Sequence, residues 1–111
     1  MRDDQVYLRD ILDAIRRIES YTSVGREAFL NTELYQDAVI RQLAVIGEAS
    51  RKLSESLRAS HGEVPWPRIF ALRNLLIHDY AGVSLETVWK ITEENLPLLK
   101  KQVQAILEGL A

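Results

Sequence analysis

Apolar residues in this 111-residue chain recur at steps of three and four from one end to the other, with no strand-like alternation. That pattern constrains the fold more than any other feature. A 3.6-residue repeat gathers such residues on one helix face, whereas a strand needs a repeat of two. Leu8, Ile11, Ile15 and Ile18 form one stripe, with Arg9, Asp13, Arg16 and Arg17 off it, which predicts a helix over 4–22. Asp3 and Asp4 suit the positive end of that helix, and Gly25 is a stop signal. A second stripe of Val39, Leu43, Ile46, Leu53 and Leu57 predicts a helix over 33–57 or 33–58, with Asn31 and Thr32 as N-cap candidates. The connection before it has room for one helical turn over 27–30. On the second helix, Ala44, Gly47, Ala49 and Ser50 are small and let another helix approach closely.

Gly62, Pro65 and Pro67 mark a loop that feeds a third helix starting near Pro67. That helix is expected to end between His78 and Ala81, with Gly82 as the break. Ser84 then caps a fourth helix carrying Leu85, Val88, Trp89, Thr92, Leu96, Leu99, Val103 and Ile106. Pro97 should kink it by removing the bond to Glu93. No repeat, low-complexity stretch or linker divides the chain. The expectation is an all-α fold: one domain over 1–111, an antiparallel bundle of four main helices with one short extra helix in a connection.

Charge and composition narrow the function. A formal net charge of -2 argues against a broad basic face for duplex DNA. The chain has no cysteine, which removes disulfides, thiolate metal sites and cysteine nucleophiles. The N-terminal Met-Arg-Asp-Asp-Gln leads straight into an amphipathic pattern without a signal peptide. No apolar run approaches the ~20 residues of a membrane span. A cytoplasmic protein with no membrane association is expected.

Residues 73–80 read Arg-Asn-Leu-Leu-Ile-His-Asp-Tyr and carry the chemistry. Between Ile69 and Ile77 the only polar side chains are Arg73 and Asn74, and an unpaired arginine within a core would be costly. On a helical wheel Ile69, Leu72, Leu75 and Leu76 make the apolar face, while Arg73 and Tyr80 share one edge. Arg73 and His78 fall about 140° apart, so one helix does not aim both at one small target. A symmetric dimer with two facing motifs would. Cleavage of RNA without a metal uses the ribose 2′-hydroxyl against the adjacent phosphate, and it needs a base, an acid and a cation. Histidine, with an unperturbed pKa of about 6.5, serves either proton role near neutrality. Arginine stays charged and matches phosphate oxygens with its fork.

Each of these residues also has a plain reading. His78 alone fits the negative end of a helix, and Arg73 alone fits an ion pair with a glutamate of another helix. Asp79 alone is an ordinary polar residue at a helix end. Arg41 and Glu48 could both face the motif, but exposure or a mutual pair across two turns is the simpler expectation. Trp66 and Trp89 are expected as core or hinge anchors. His61 has no companions spaced for a metal site, so no metal and no cofactor is expected.

Arg-x4-His-x-Tyr between amphipathic helices resembles the HEPN superfamily, and within it the HepT toxins of HepT–MntA systems. The resemblance extends over nearly the whole chain: residues 39–49 (Val-Ile-Arg-Gln-Leu-Ala-Val-Ile-Gly-Glu-Ala), 64–68 (Val-Pro-Trp-Pro-Arg), 82–89 (Gly-Val-Ser-Leu-Glu-Thr-Val-Trp) and 95–100 (Asn-Leu-Pro-Leu-Leu-Lys) are similar to that group in the same order. It implies a homodimeric HEPN bundle and a ribonuclease site in which Arg73 and His78 act, with Asn74 as the supporting polar residue. It further implies an RNA substrate and an MntA-like nucleotidyltransferase antitoxin that transfers AMP to Tyr80. Two other readings share these residues: a non-enzymatic nucleotide-binding or scaffold subunit of a nucleotidyltransferase complex, and an orphan helical interaction domain.

Overall fold

In a computed structural model, which describes residues 3–77 and 84–110, the chain folds into helices joined by short turns. Helix α1 (Asp4–Thr22) begins where Asp3 accepts hydrogen bonds from the backbone N–H groups of Gln5 and Val6. It buries Leu8, Ile11, Leu12, Ala14, Ile15 and Ile18. Gly25 takes φ 95°, a left-handed conformation open to glycine, and opens the short α2 (Arg26–Asn31). This is the extra helix expected between the first two stripes.

Helix α3 (Glu33–Arg51) starts at Thr32, but the Thr32 hydroxyl does not cap it. Gln36 Nε2 reaches back and donates to the carbonyls of Phe29 and Leu30 at the end of α2, and Asn31 remains inside α2. The second stripe is not one helix to 57 or 58, as its spacing predicts. Helix α3 ends at Arg51, and α4 (Glu55–Ser60) follows after a turn. Ser54 causes the break: its hydroxyl accepts from Leu57 N–H and donates to Asp4 Oδ2, while its own N–H donates to Asp4 Oδ1. A cap anchored on α1 thus replaces propagation of α3. Leu53 and Leu57 stay in the core through the turn.

The segment that follows begins with α5 (Trp66–Phe70), tightens into a 3₁₀ turn (Ala71–Arg73) and continues as α6 (Asn74–Ile77). The predicted end of this helix lies outside the described residues, as do His78, Asp79, Tyr80 and Gly82. Ser84 caps α7 (Leu85–Lys90) by accepting from Thr87 N–H. A π-helical turn (Ile91–Asn95) then leads into α8 (Leu96–Leu110). The turn sits directly before Pro97, whose missing N–H removes the bond to Glu93. Counted as plain α-helix, Val88 and Leu96 would lie about 80° apart around the axis; one residue taken up by the wider turn leaves about 20°. Both are buried, at 0% and 4% exposure.

Cross-links at opposite ends fix the directions. Gln5 Nε2 at the start of α1 donates to the Leu110 carbonyl at the end of α8, and Lys100 pairs with Glu19 at 3.0 Å near the other end. Helices α1 and α8 therefore run antiparallel. The Asp4–Ser54 bonds set α1 antiparallel to α3 in the same way. The result is the expected all-α antiparallel bundle, with α1 between α3 and α8 and the 66–77 segment laid across α3.

Candidate functional site

Gly47 decides how near the motif segment comes to α3. A Cβ on Gly47 would lie 2.7 Å from Arg73 N, 3.0 Å from the Ile69 carbonyl oxygen and 3.3 Å from that of Phe70. Backbone therefore packs on backbone, and the next residue, Glu48, is carried against Arg73. Arg73 Nε lies 2.7 Å from Glu48 Oε2 in an ion pair, with both side chains about half exposed. A contact this short between opposite charges holds the guanidinium beside Glu48.

Glu48 is thus the glutamate partner from another helix that Arg73 was open to. Of the simpler expectation for Glu48, the pair with Arg41 is corrected by this contact, while its partial exposure stands. Arg41 is exposed two turns away on α3 and is not its partner. Glu48 and Arg73 are 25 positions apart in sequence, and periodicity alone does not say which faces meet. The close-approach signal was Gly47 itself. Asn74 is exposed and opens α6, next to Arg73. His78 and Tyr80 lie outside the described residues.

One turn before Arg73, Phe70 gathers two further arginines. Arg51 of α3 and Arg58 of α4 place their guanidinium carbons 5.6 and 5.1 Å from the centre of its ring. The Nε of Arg58 is buried with no hydrogen-bond partner among the described residues. Facing pairs 48 with 73 and 51 with 70 show that the motif segment runs antiparallel to α3. Nearby, Trp66 is buried and its Nε1–H donates to the carbonyls of Arg58 and His61. It anchors the loop into the motif segment. Trp89 packs on Phe29, ring centres 5.4 Å apart.

His61 pairs with Glu63 at 3.4 Å. Among the described residues no three His, Cys, Asp or Glu side chains converge as a metal site would require. On the other flank of the motif segment, an apolar cleft of about 290 Å³ runs between Ile69 and Leu72 on one side and Leu96, Leu98 and Leu99 of α8 on the other. Leu98 is 58% exposed. No described helix is long and apolar enough to cross a membrane.

Comparison with known proteins places these features in a family. The Ribonuclease HepT-like family model matches residues 11–106. The chain is similar to a protein of Methanocaldococcus jannaschii provisionally named an RNase, 38% identical over 106 residues, which cover 95% of this chain and 97% of the relative. It is 39% identical over 106 residues to the probable ribonuclease HepT of Thermococcus cleftensis, covering 95% and 96% of the two chains. A provisionally named RNase of Caldanaerobacter subterraneus subsp. tengcongensis is 35% identical over 109 residues, covering 97% of each. No solved structure matches significantly.

Proposed function

The chain belongs to the HepT-like ribonuclease family, and from that premise we propose that it is the toxin of a type VII toxin–antitoxin system, a metal-independent endoribonuclease held in check by a nucleotidyltransferase. The observation that carries this reading is the Glu48–Arg73 pair. It holds a half-exposed guanidinium in place at the surface, and a positioned cation is what a phosphate-binding group requires. A salt bridge serving stability alone gains little when half exposed.

In the proposed reaction the RNA phosphate lies on the Nη1–Nη2 edge of Arg73. A base removes the proton of the neighbouring 2′-hydroxyl, and O2′ bonds to phosphorus. The P–O5′ bond breaks as an acid gives its proton to O5′. The products are a 2′,3′-cyclic phosphate and a 5′-hydroxyl. His78 supplies the base, and His78 of a second copy supplies the acid. Arg73 neutralises the charge gained by the phosphorane, and Asn74 supports it with polar contacts. The apolar cleft beside Ile69 and Leu72, with Leu98 exposed at its edge, supports a dimer in which motif segments and α8 meet.

Control in this reading falls on Tyr80, the acceptor of AMP from an MntA-like antitoxin. The added phosphate would compete with RNA for Arg73, by the ordinary rules of charge-adding modification. The test is cleavage of RNA by purified protein in EDTA. Arg73→Ala and His78→Ala should each lower the rate by ~10²-fold or more with unchanged circular dichroism. Full cleavage by either folded variant, or a strict need for added Mg²⁺, would refute the assignment.

A further inference from the structure

Arg51 and Arg58 come from two different helices, yet both stand on Phe70. Their guanidinium centres therefore lie within about 11 Å of each other. Among the described residues neither has a carboxylate within ion-pairing distance, although acidic residues outnumber basic ones, 16 to 14. Glu48, one turn before Arg51, is taken by Arg73. Arg58 has its Nε buried without an acceptor, so part of its charge lies out of reach of water and is unsatisfied among the described residues. Ring contacts stabilise a cation less than a carboxylate partner and hydrogen bonds would, and the two cations repel each other. Anions placed against them would relieve both costs.

The direction from this pair to Arg73 is set by the backbone. Phe70 precedes the 3₁₀ turn Ala71–Arg73, and three residues of such a turn advance roughly 6 Å. That is close to the step between neighbouring phosphates of an extended single strand. We propose that Arg51 and Arg58, held on Phe70, form a binding site for backbone phosphates of single-stranded RNA next to the phosphate at Arg73. The inference rests on the ribonuclease reading for its ligand and extends it to the nucleotides flanking the cleaved bond. The site reads charge and not sequence, since Phe70 is half-buried and its ring is already engaged by the cations.

The experiment uses the full chain and a fluorescein-labelled RNA oligonucleotide with 2′-O-methyl groups throughout, which binds but cannot be cleaved. Fluorescence anisotropy gives Kd across a range of salt. For a single strand, each lost phosphate contact lowers the slope of log K against log salt by about 0.7. The double variant R51Q/R58Q should weaken binding about tenfold or more and reduce the slope by about 1.4, two such contacts. R51K/R58K should keep the slope, because charge is kept while the planar stack is lost. F70L should bind more weakly with the slope retained. A folded R51Q/R58Q with wild-type affinity and slope overturns the inference, as does one that only unfolds at lower temperature with the slope unchanged. Because the RNA is uncleavable, this outcome is independent of cleavage: retained cleavage by Arg73→Ala would sink the nuclease reading and leave the binding test standing.

Discussion

Gly47→Ala sets two well-understood effects against each other. In a helix interior alanine is favoured over glycine by about 1 kcal/mol. At Gly47 the added methyl would stand 2.7 Å from Arg73 N and 3.0 Å from the Ile69 carbonyl oxygen. Both are backbone atoms that no rotamer change can move. Ordinary contact begins near 3.4 Å, so α3 and the 3₁₀ turn must part by about 0.7 Å, enough to forfeit much of the dispersion between them. Overpacking of this kind costs ~1–3 kcal/mol, which exceeds the propensity gain. With two backbone atoms in the way the cost falls in the upper part of that range, so the net expectation is a loss of ~1–2 kcal/mol, or a melting temperature lower by roughly 4–8 °C for each kcal/mol lost. Gly109→Ala is the control, because nothing lies within 4 Å of its added methyl. It should be neutral or stabilising by less than ~1 kcal/mol near the end of a helix. Urea unfolding monitored by circular dichroism reads both. A Gly47→Ala protein as stable as wild type, or more so, would refute the claim that backbone contact at Gly47 sets the position of Arg73. The same displacement moves Arg73 relative to Glu48, and misplacement near 1 Å can cost up to ~10²-fold in rate.

Three further outcomes are expected. Glu48→Ala should release Arg73 and slow RNA cleavage about tenfold, with Glu48→Gln recovering part of the loss because its amide oxygen offers the guanidinium an acceptor in the same place; single-turnover rates for Ala equal to wild type would remove Glu48 from the site. Trp66→Phe leaves the carbonyls of Arg58 and His61 without their shared donor, and should cost ~1–2 kcal/mol in urea unfolding. Tyr80→Phe should remain toxic yet escape neutralisation by the partner transferase, with no AMP adduct in the intact mass; complete neutralisation of that variant would end the proposed control mechanism.

The helices were legible where a local rule operates. Asp3 caps α1, Gly25 ends the first connection and Ser84 caps α7, each through its own side chain or backbone conformation. The break at Ser54 was not legible, because Leu53 and Leu57 fall on the Ile46 face whether or not the helix continues. What decides it is Asp4, 50 residues away. The candidate site divides in the same way. Arg73 stood out as a cation in an apolar run, and Gly47 as a point of close approach. That Glu48 meets Arg73, and that Arg51 and Arg58 meet on Phe70, follows from how three segments cross, which no single-segment periodicity encodes.

The π-helical turn at Ile91–Asn95 has a consequence for chain length. It holds one residue more than the bundle face requires, so a related chain one residue shorter there could present the same buried residues from an unbroken α-helix. Such a deletion would have to be accompanied by loss of the proline, since Pro97 lacks the N–H that an unbroken helix would use at that position. Elsewhere in 85–110, removing one residue would turn every following side chain about 100° away from its neighbours. Insertions and deletions among homologous chains should therefore concentrate between residues 91 and 95, coupled to the presence or absence of proline just beyond.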